Sequence, residues 1–390
     1  MTTKLQPYKN YKPVTYDYVT QLPEGWQLLP NIAIFEERIE RGYINEALLS
    51  VTIGKGVIKQ SDLDKKDSST LDKSKYLFVN PNDLVYSMRF RQGASGYSDY
   101  RGIVSPACTV LKHKKGMNLN SRYFHYMFRS GFYKNYVERY AYGIADGQMP
   151  LRYFDFKRMY SIVPPLEDQN SIVDYLDKKN NEIDKFIRNK EKLIELLDEQ
   201  RKSVVFHRLK EFFISCKKKV KFLVRICNGL EQKAVEDING QYPIYGSGGI
   251  IGYANKYLHD KPSVLLGRKG TVDKPILVNQ PFWSIDTAFY TIINEKKVIP
   301  KFFFYACTFI NFDEYKYGSA IPSMTQGMLN NIEIPAPDIV KQIELIQFLE
   351  IDLRRIDLAI TNAQQEITAI KEYREALITD LVTGKRRIPQ

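Results

Sequence analysis

Apolar residues recur at helical spacing in two long stretches of the chain. In the first they fall at Ile172, Leu176, Ile183, Phe186, Ile187, Leu193, Ile194, Leu197 and Val204. In the second they fall at Leu345, Leu349, Ile356, Ile360, Ile367, Ile370, Leu377 and Leu381. Separations of three, four and seven residues draw a stripe along one helix face. Neither stretch contains Gly or Pro until Gly384, so each predicts an unbroken helix of roughly forty residues, a rod of about 60 Å. A rod cannot cover its own stripe. The two are expected to cover each other as an antiparallel coiled-coil pair.

The two stretches are also copies. "IVPPLEDQNSIVDYLDKKNNEIDKFI" starts at Ile162 and "IPAPDIVKQIELIQFLEIDLRRIDLAI" at Ile334. Leu176–Asp177 matches Leu349–Glu350, Ile183–Asp184 matches Ile356–Asp357, and Arg201 matches Arg374, all at one offset of 173 residues. A repeat at fixed offset over this length marks an internal duplication.

The regions between the helices have a different texture. "SVLLG" (Ser263–Gly267), "PILV" (Pro275–Val278) and "TAFYTII" (Thr287–Ile293) predict strands. "SRYFHYMFRS" (Ser121–Ser130) and "PKFFFYACTF" (Pro300–Phe309) predict short buried helices in equivalent places. "DLVYSMR" (Asp83–Arg89) lines up with "SVLLGRK" (Ser263–Lys269), and "YGIADGQMPL" (Tyr142–Leu151) with "YGSAIPSMTQ" (Tyr317–Gln326). The predicted fold class is α+β: two pseudo-symmetric α/β domains joined by two long helices. The expected divisions are a first domain over 1–163, a central helix over 164–214, a second domain over 215–335, a C-terminal helix over 336–384 and a tail over 385–390.

Charge sharpens this division. Of a total of +12, residues 1–165 carry +9 and residues 215–335 carry +5, while both helical stretches carry −1. Two basic modules on neutral helices point to an anionic partner met twice. No run of eighteen apolar residues is present and "MTTKLQPYKN" is no secretory leader. A cytoplasmic protein without membrane contact is the expectation. Four scattered cysteines and four scattered histidines form no metal-ligand spacing, so neither metal nor disulfide is expected.

Catalytic signatures are missing. "NPND" (Asn80–Asp83) departs from the Asn/Asp-Pro-Pro-aromatic motif that base methylation needs. "YGSGGIIG" (Tyr245–Gly252) has Ile251 where a phosphate-binding loop needs its third glycine. Glu231–Lys233 and Glu295–Lys297 lack an upstream Pro-Asp at nuclease spacing, and Pro337–Asp338 stands at a helix entrance as a cap.

Paired basic modules fit duplex DNA, whose sequence is read by Arg/Lys, Asn/Gln and Ser/Thr at base edges. In the first module the loop after a buried strand offers Arg89, Arg91, Gln92, Ser95 and Tyr97, and the tyrosine-glycine loop adds Gln148 and Arg152. In the second the matching loop offers Arg268, Lys269 and Thr271. The tyrosine-glycine loop there adds Ser319, Ser323, Thr325 and Gln326, and the other glycine-rich loop Ser247 and Asn255. Each of these residues alone is equally well a solvated surface side chain.

This layout resembles the DNA-specificity subunits of Type I restriction–modification systems. The residues that carry the resemblance are "LPEGW" (Leu22–Trp26), the Pro-Pro and Gln entry to each helix, and "YGSGG" (Tyr245–Gly249). "LLGRKGT" (Leu265–Thr271), "SIDTAFY" (Ser284–Tyr290) and the ending "LITDLVTGKRRIP" (Leu377–Pro389) add to it. The first domain departs from the pattern in lacking a "YGSGG" loop and carrying "KQSDLDKKDSSTLDKSKY" (Lys59–Tyr76). The resemblance implies a non-catalytic subunit that binds double-stranded DNA and no cofactor of its own. It also implies two modification subunits using S-adenosylmethionine and restriction subunits using ATP and Mg. Two other readings remain open: a coiled-coil scaffold with incidental basic surfaces, and a self-contained DNA-modifying enzyme.

Overall fold

The structure, a computed structural model, describes residues 5–16, 18–63, 72–140, 151–315 and 322–388. The chain divides into two compact units, one of Met1–Arg188 with Glu366–Gln390, the other of Asn189–Gln365.

In the first unit, β1 (Gln27–Pro30), β2 (Phe35–Glu37), β3 (Leu84–Tyr86), β4 (Ser95–Tyr97) and β5 (Thr109–His113) precede the short helix α1 (Ser121–Arg129). Strand β6 (Tyr160–Val163) then leads into the long helix α2 (Leu166–Ser215). The central sheet has the order β2-β5-β3-β4, antiparallel throughout, and β6 pairs with β1. The three residues of β3 are all buried, as expected of an inner strand covered on both faces.

The second unit repeats this plan. Strand β7 (Lys217–Lys219) is followed by β8 (Val224–Asn228) and the hairpin β9 (Tyr242–Gly246) and β10 (Gly249–Ala254). Then come β11 (Ser263–Gly267), β12 (Ile276–Val278), β13 (Ala288–Ile293) and the short helix α3 (Pro300–Thr308). Helix α4 (Gln326–Asn331), β14 (Glu333–Pro335) and the long helix α5 (Ile339–Val382) complete it. The sheet order is β8-β13-β11-β12, and β7 pairs with β14. In both sheets the strand that comes last in the chain is inserted between the first and second. Duplication is therefore written in the topology as well as in the helices.

The ends of the long helices follow local chemistry. Pro164 and Pro165 precede α2, and Glu167 and Asp168 in its first turn complement the helix dipole. Asp338 caps α5, its Oδ1 accepting from the Lys341 N–H at 2.9 Å. Gly384, at φ 72°, takes the left-handed turn that ends α5.

Within each unit the two long helices run antiparallel. In the first, Arg374 of α5 pairs with Asp184 of α2; in the second, Arg201 of α2 pairs with Asp357 of α5. These are the same two repeat positions with their owners exchanged, as happens when a surface meets a copy of itself. Arg208 adds a pair with Asp352 at 2.7 Å. Ala363 of α5 is buried, 2% exposed.

Each domain core is completed by its helices. Ile172, Val173 and Leu176 of α2 and Leu377 and Leu381 of α5 pack with Trp26 in the first core. The Trp26 Nε1 donates to Asp168 Oδ2 at 2.8 Å, which accounts for the tryptophan of "LPEGW". Val205 and Leu209 of α2 and Leu345, Leu349 and Leu353 of α5 pack with Phe302 and Phe303 in the second. Leu193 and Phe186, placed on the stripe by spacing, are 39% and 37% exposed. Neither residue belongs to the core of its own unit, and a two-helix seam covers a narrower face than a helix buried in a domain.

Candidate nucleic-acid interface

In the second unit, strand β11 is buried along its whole length and ends at Gly267. A Cβ at Gly267 would lie 2.1 Å from the Thr271 carbonyl oxygen, so glycine is required for the chain to fold back here. The turn presents Arg268 and Lys269. It is held by the Arg268 N–H donating to Thr287 O, the Gly270 N–H to Pro322 O and the Met324 N–H to Arg268 O, each at 2.9 Å. Lys269 and Ser323 form an antiparallel bridge. Two segments more than fifty residues apart are thereby joined into one rim.

That rim bounds a cleft of about 220 Å³ lined by Arg268, Lys269, Ser323, Thr325 and Gln326 together with Asn228, Phe289 and Met324. The Arg268 guanidinium lies 5.9 Å from the Phe289 ring centre, and its Nη1 donates to Asp286 O at 3.4 Å. Thr325 caps α4 by accepting from the Met328 N–H, and Gln326 donates to the Ile226 carbonyl. Ser247 and Thr271 border the same rim: a Cβ at Gly270 would lie 3.4 Å from Ser247 Oγ, and one at Gly248 would lie 3.8 Å from Thr271 Oγ1. Asn255 follows Ala254, at the end of the hairpin opposite the Gly246–Gly249 turn, and does not join this group. Ser319 lies outside the described residues. Asn228 and Phe289 went unnoticed in the sequence because they come from β8 and β13, far from the loops; only strand pairing brings them in.

In the first unit the loop between β3 and β4 is pinned by Phe90, which is fully buried. Gly93 at φ 96° turns the chain, and Arg89, Arg91 and Gln92 stand exposed around it. Arg91 pairs with Glu138. Arg129, at the end of α1, donates to the carbonyls of Gly93 at 2.8 Å, Ser95 at 2.9 Å and Gly54 at 2.9 Å, and also to Ile53 and Thr52. One guanidinium thus fixes the base of the loop. Ser95 is 1% exposed and does not face solvent. Tyr97 is half-buried, its hydroxyl donating to Asp99 at 2.9 Å beneath the Arg122 guanidinium. Arg152 is exposed beside a short helix at Tyr153–Phe156, and Gln148 lies outside the described residues.

The arrangement suits readout of a polyanion with base edges. Forked and pointed cations sit beside hydroxyl and amide groups on turns held by rigid strands.

A family model for the Type I restriction modification DNA specificity domain matches the chain twice, over residues 23–196 and 207–370. The chain belongs to that family. It is 27% identical over 131 residues to the Type I restriction enzyme EcoprrI specificity subunit of Escherichia coli, covering 33% of this chain and 31% of that protein. It is 25% identical over 117 residues to a putative Type I restriction enzyme specificity subunit, S.HindORF215P, of Haemophilus influenzae, covering 29% and 30%. The aligned segments thus span under a third of either relative. Among solved structures, a chain from work on complex assembly and conformational transition of the type I R-M system superposes with a TM-score of 0.66 at 12% identity. It covers 93% of this chain and 99% of its own length, and at that identity the likeness is one of fold.

Proposed function

We propose that this chain is the sequence-specific DNA-binding subunit of a Type I restriction–modification complex. Each domain reads one half of a split target, and the long helices space the halves and dock the modification subunits. The observation that carries this reading is the duplicated domain, each copy with its own basic reading loops, mounted on helices that exchange the same ion pair.

The chain acts without chemistry of its own: it chooses the site, and partner subunits act there. Two modification subunits supply methyl transfer from S-adenosylmethionine, and restriction subunits use ATP and Mg. Support for docking on the helices comes from Ile351 and Leu358, seven residues apart on α5 and 67% and 60% exposed. That spacing puts them on one face, and such a face on a two-helix pair suits further helices.

The test is binding of duplex DNA by the full chain with its modification subunits at rising salt, with methylome sequencing of the host with and without the gene. Affinity should fall log-linearly with salt, as expected when phosphate contacts release counterions, and one split sequence should lose methylation without the gene. An unchanged methylome with no sequence preference at any salt would return the chain to the scaffold reading.

A further inference from the structure

Each long helix carries one completely buried glutamine, Gln169 on α2 and Gln342 on α5, at the same repeat position. Gln169 accepts from the backbone N–H of Asn120 at 2.9 Å and donates to the Pro164 carbonyl at 2.8 Å. Gln342 accepts from the N–H of Ile299 at 2.8 Å and donates to the carbonyls of Pro337 at 2.8 Å and Lys297 at 3.0 Å. Asn120 and Ile299 are the N-cap residues of α1 and α3. In both units, then, the same amide ties the entrance of the long helix to the start of the short helix in its domain.

A second attachment stands two turns further along each long helix. Asp177 receives Arg122 at 2.8 Å and the Tyr126 hydroxyl, and Glu350 pairs with Lys301. Arg122 and Lys301 both lie two residues beyond their caps. The two polar attachments stand about 12 Å apart along the helix axis. They bracket the buried Ile172, Val173 and Leu176 of α2 and Leu345 and Leu349 of α5, so apolar packing holds the helix to the domain while the directional bonds at either end fix its angle.

A buried apolar residue in place of the glutamine would fill the space but leave main-chain donors and acceptors unpaired. It would also lose the directionality that hydrogen bonds impose. In the first unit the consequence reaches the reading loop, because α1 ends in the Arg129 that grips Gly93 and Ser95.

We propose that Gln169 and Gln342 are positioning residues: with Asp177 and Glu350 they set the angle at which each recognition domain stands on its long helix, and so the gap between half-sites that the subunit accepts. This rests on the split-target function proposed for the chain.

The test maps methylation by the full chain with its modification subunits. Gln342→Met should leave both half-site sequences intact but admit gaps about one base pair, or 3.4 Å, longer or shorter than the native gap, which the wild type rejects. Lys301→Glu should relax the gap in the same way, and adding Glu350→Lys should restore strictness. A strict gap in Gln342→Met with methylation lowered uniformly would overturn the proposal, since loss of folded protein alone has that effect. A double variant as relaxed as Lys301→Glu would also overturn it. A wild-type complex that methylates a continuous sequence would overturn the split-target reading itself, and the proposal with it.

Discussion

Arg268 and Lys269 are adjacent in sequence but are expected to separate in function. A guanidinium on the cleft wall can fork onto one guanine, so Arg268→Ala should cost about 1–3 kcal/mol at a single base position. An ammonium neutralising phosphate has no base preference, so Lys269→Ala should weaken all sequences alike and flatten the salt slope by about one unit. Competition binding against single-base variants, at several salt concentrations, separates the two; equal binding by wild type and both variants removes this loop from the interface. His125 gives a prediction of another kind. Its Nδ1 is sealed from solvent with no hydrogen-bond partner among the described residues. Burial, with Arg129 and Arg122 nearby, pushes its pKa down to about 3. The unfolded chain therefore takes up a proton near pH 6.5 that the folded chain refuses. Stability contributed at neutral pH should fall as pH drops through that window, by about 1.4 kcal/mol per unit. Denaturant melts of wild type and His125→Phe between pH 7 and 5 check this, and equal slopes for both would exclude His125 as the cause. Residue-level legibility was uneven for a physical reason. The placement of Arg268 and Lys269 in a turn after a buried strand was readable because a continuous apolar strand must end at the surface. Ser95 was misleading as a surface residue because β4 is crowded on both faces: a Cβ at Gly96 would lie 3.0 Å from Gly56 Cα, so alternation gives no sign of which side meets water.

The long helices were the most legible elements, because a 3.6-residue stripe repeated at one offset fits little besides a long helix and its copy. Their pairing was legible too, but its register was not. Moving from Asp184 to Arg201, seventeen residues along α2, is matched by moving from Arg374 back to Asp357, seventeen along α5. The two pairs are thus equally spaced in sequence on both helices, and a helix lengthened alone would put them out of step. Seven residues added to α2 after Lys192 and seven to α5 after Gln365 keep the apolar stripes nearly in phase. They lengthen the pair by about 10.5 Å. If the helices space the half-sites, the gap should grow by about three base pairs at 3.4 Å each, with both half-site sequences unchanged. Seven residues in α2 alone should instead separate Arg201 from Asp357 and reduce methylation at every gap. A doubly lengthened protein that keeps the original gap would show that the helices do not measure it.

At the scale of the molecule, the duplication of the helices was plain in sequence, while that of the domains was faint and became plain only in the sheet orders. Domain sequence is free to drift because the fold asks only for buried strands in a fixed order, whereas each helix must also fit its twin. Exchange of residues 216–335 for the matching domain of another family member should therefore change one half of the methylated target and spare the other. Altered recognition at both halves would end the modular reading. The exchanged ion pairs carry a last consequence, for inheritance. Arg201 pairs with Asp357 and Arg374 with Asp184, so a long helix imported without the partner residue would leave a charge unmatched on the other. Crossovers that fall at the edges of a domain carry no such penalty. Lineages carrying this gene should diversify by importing whole domains, while their two helices descend together as a matched set.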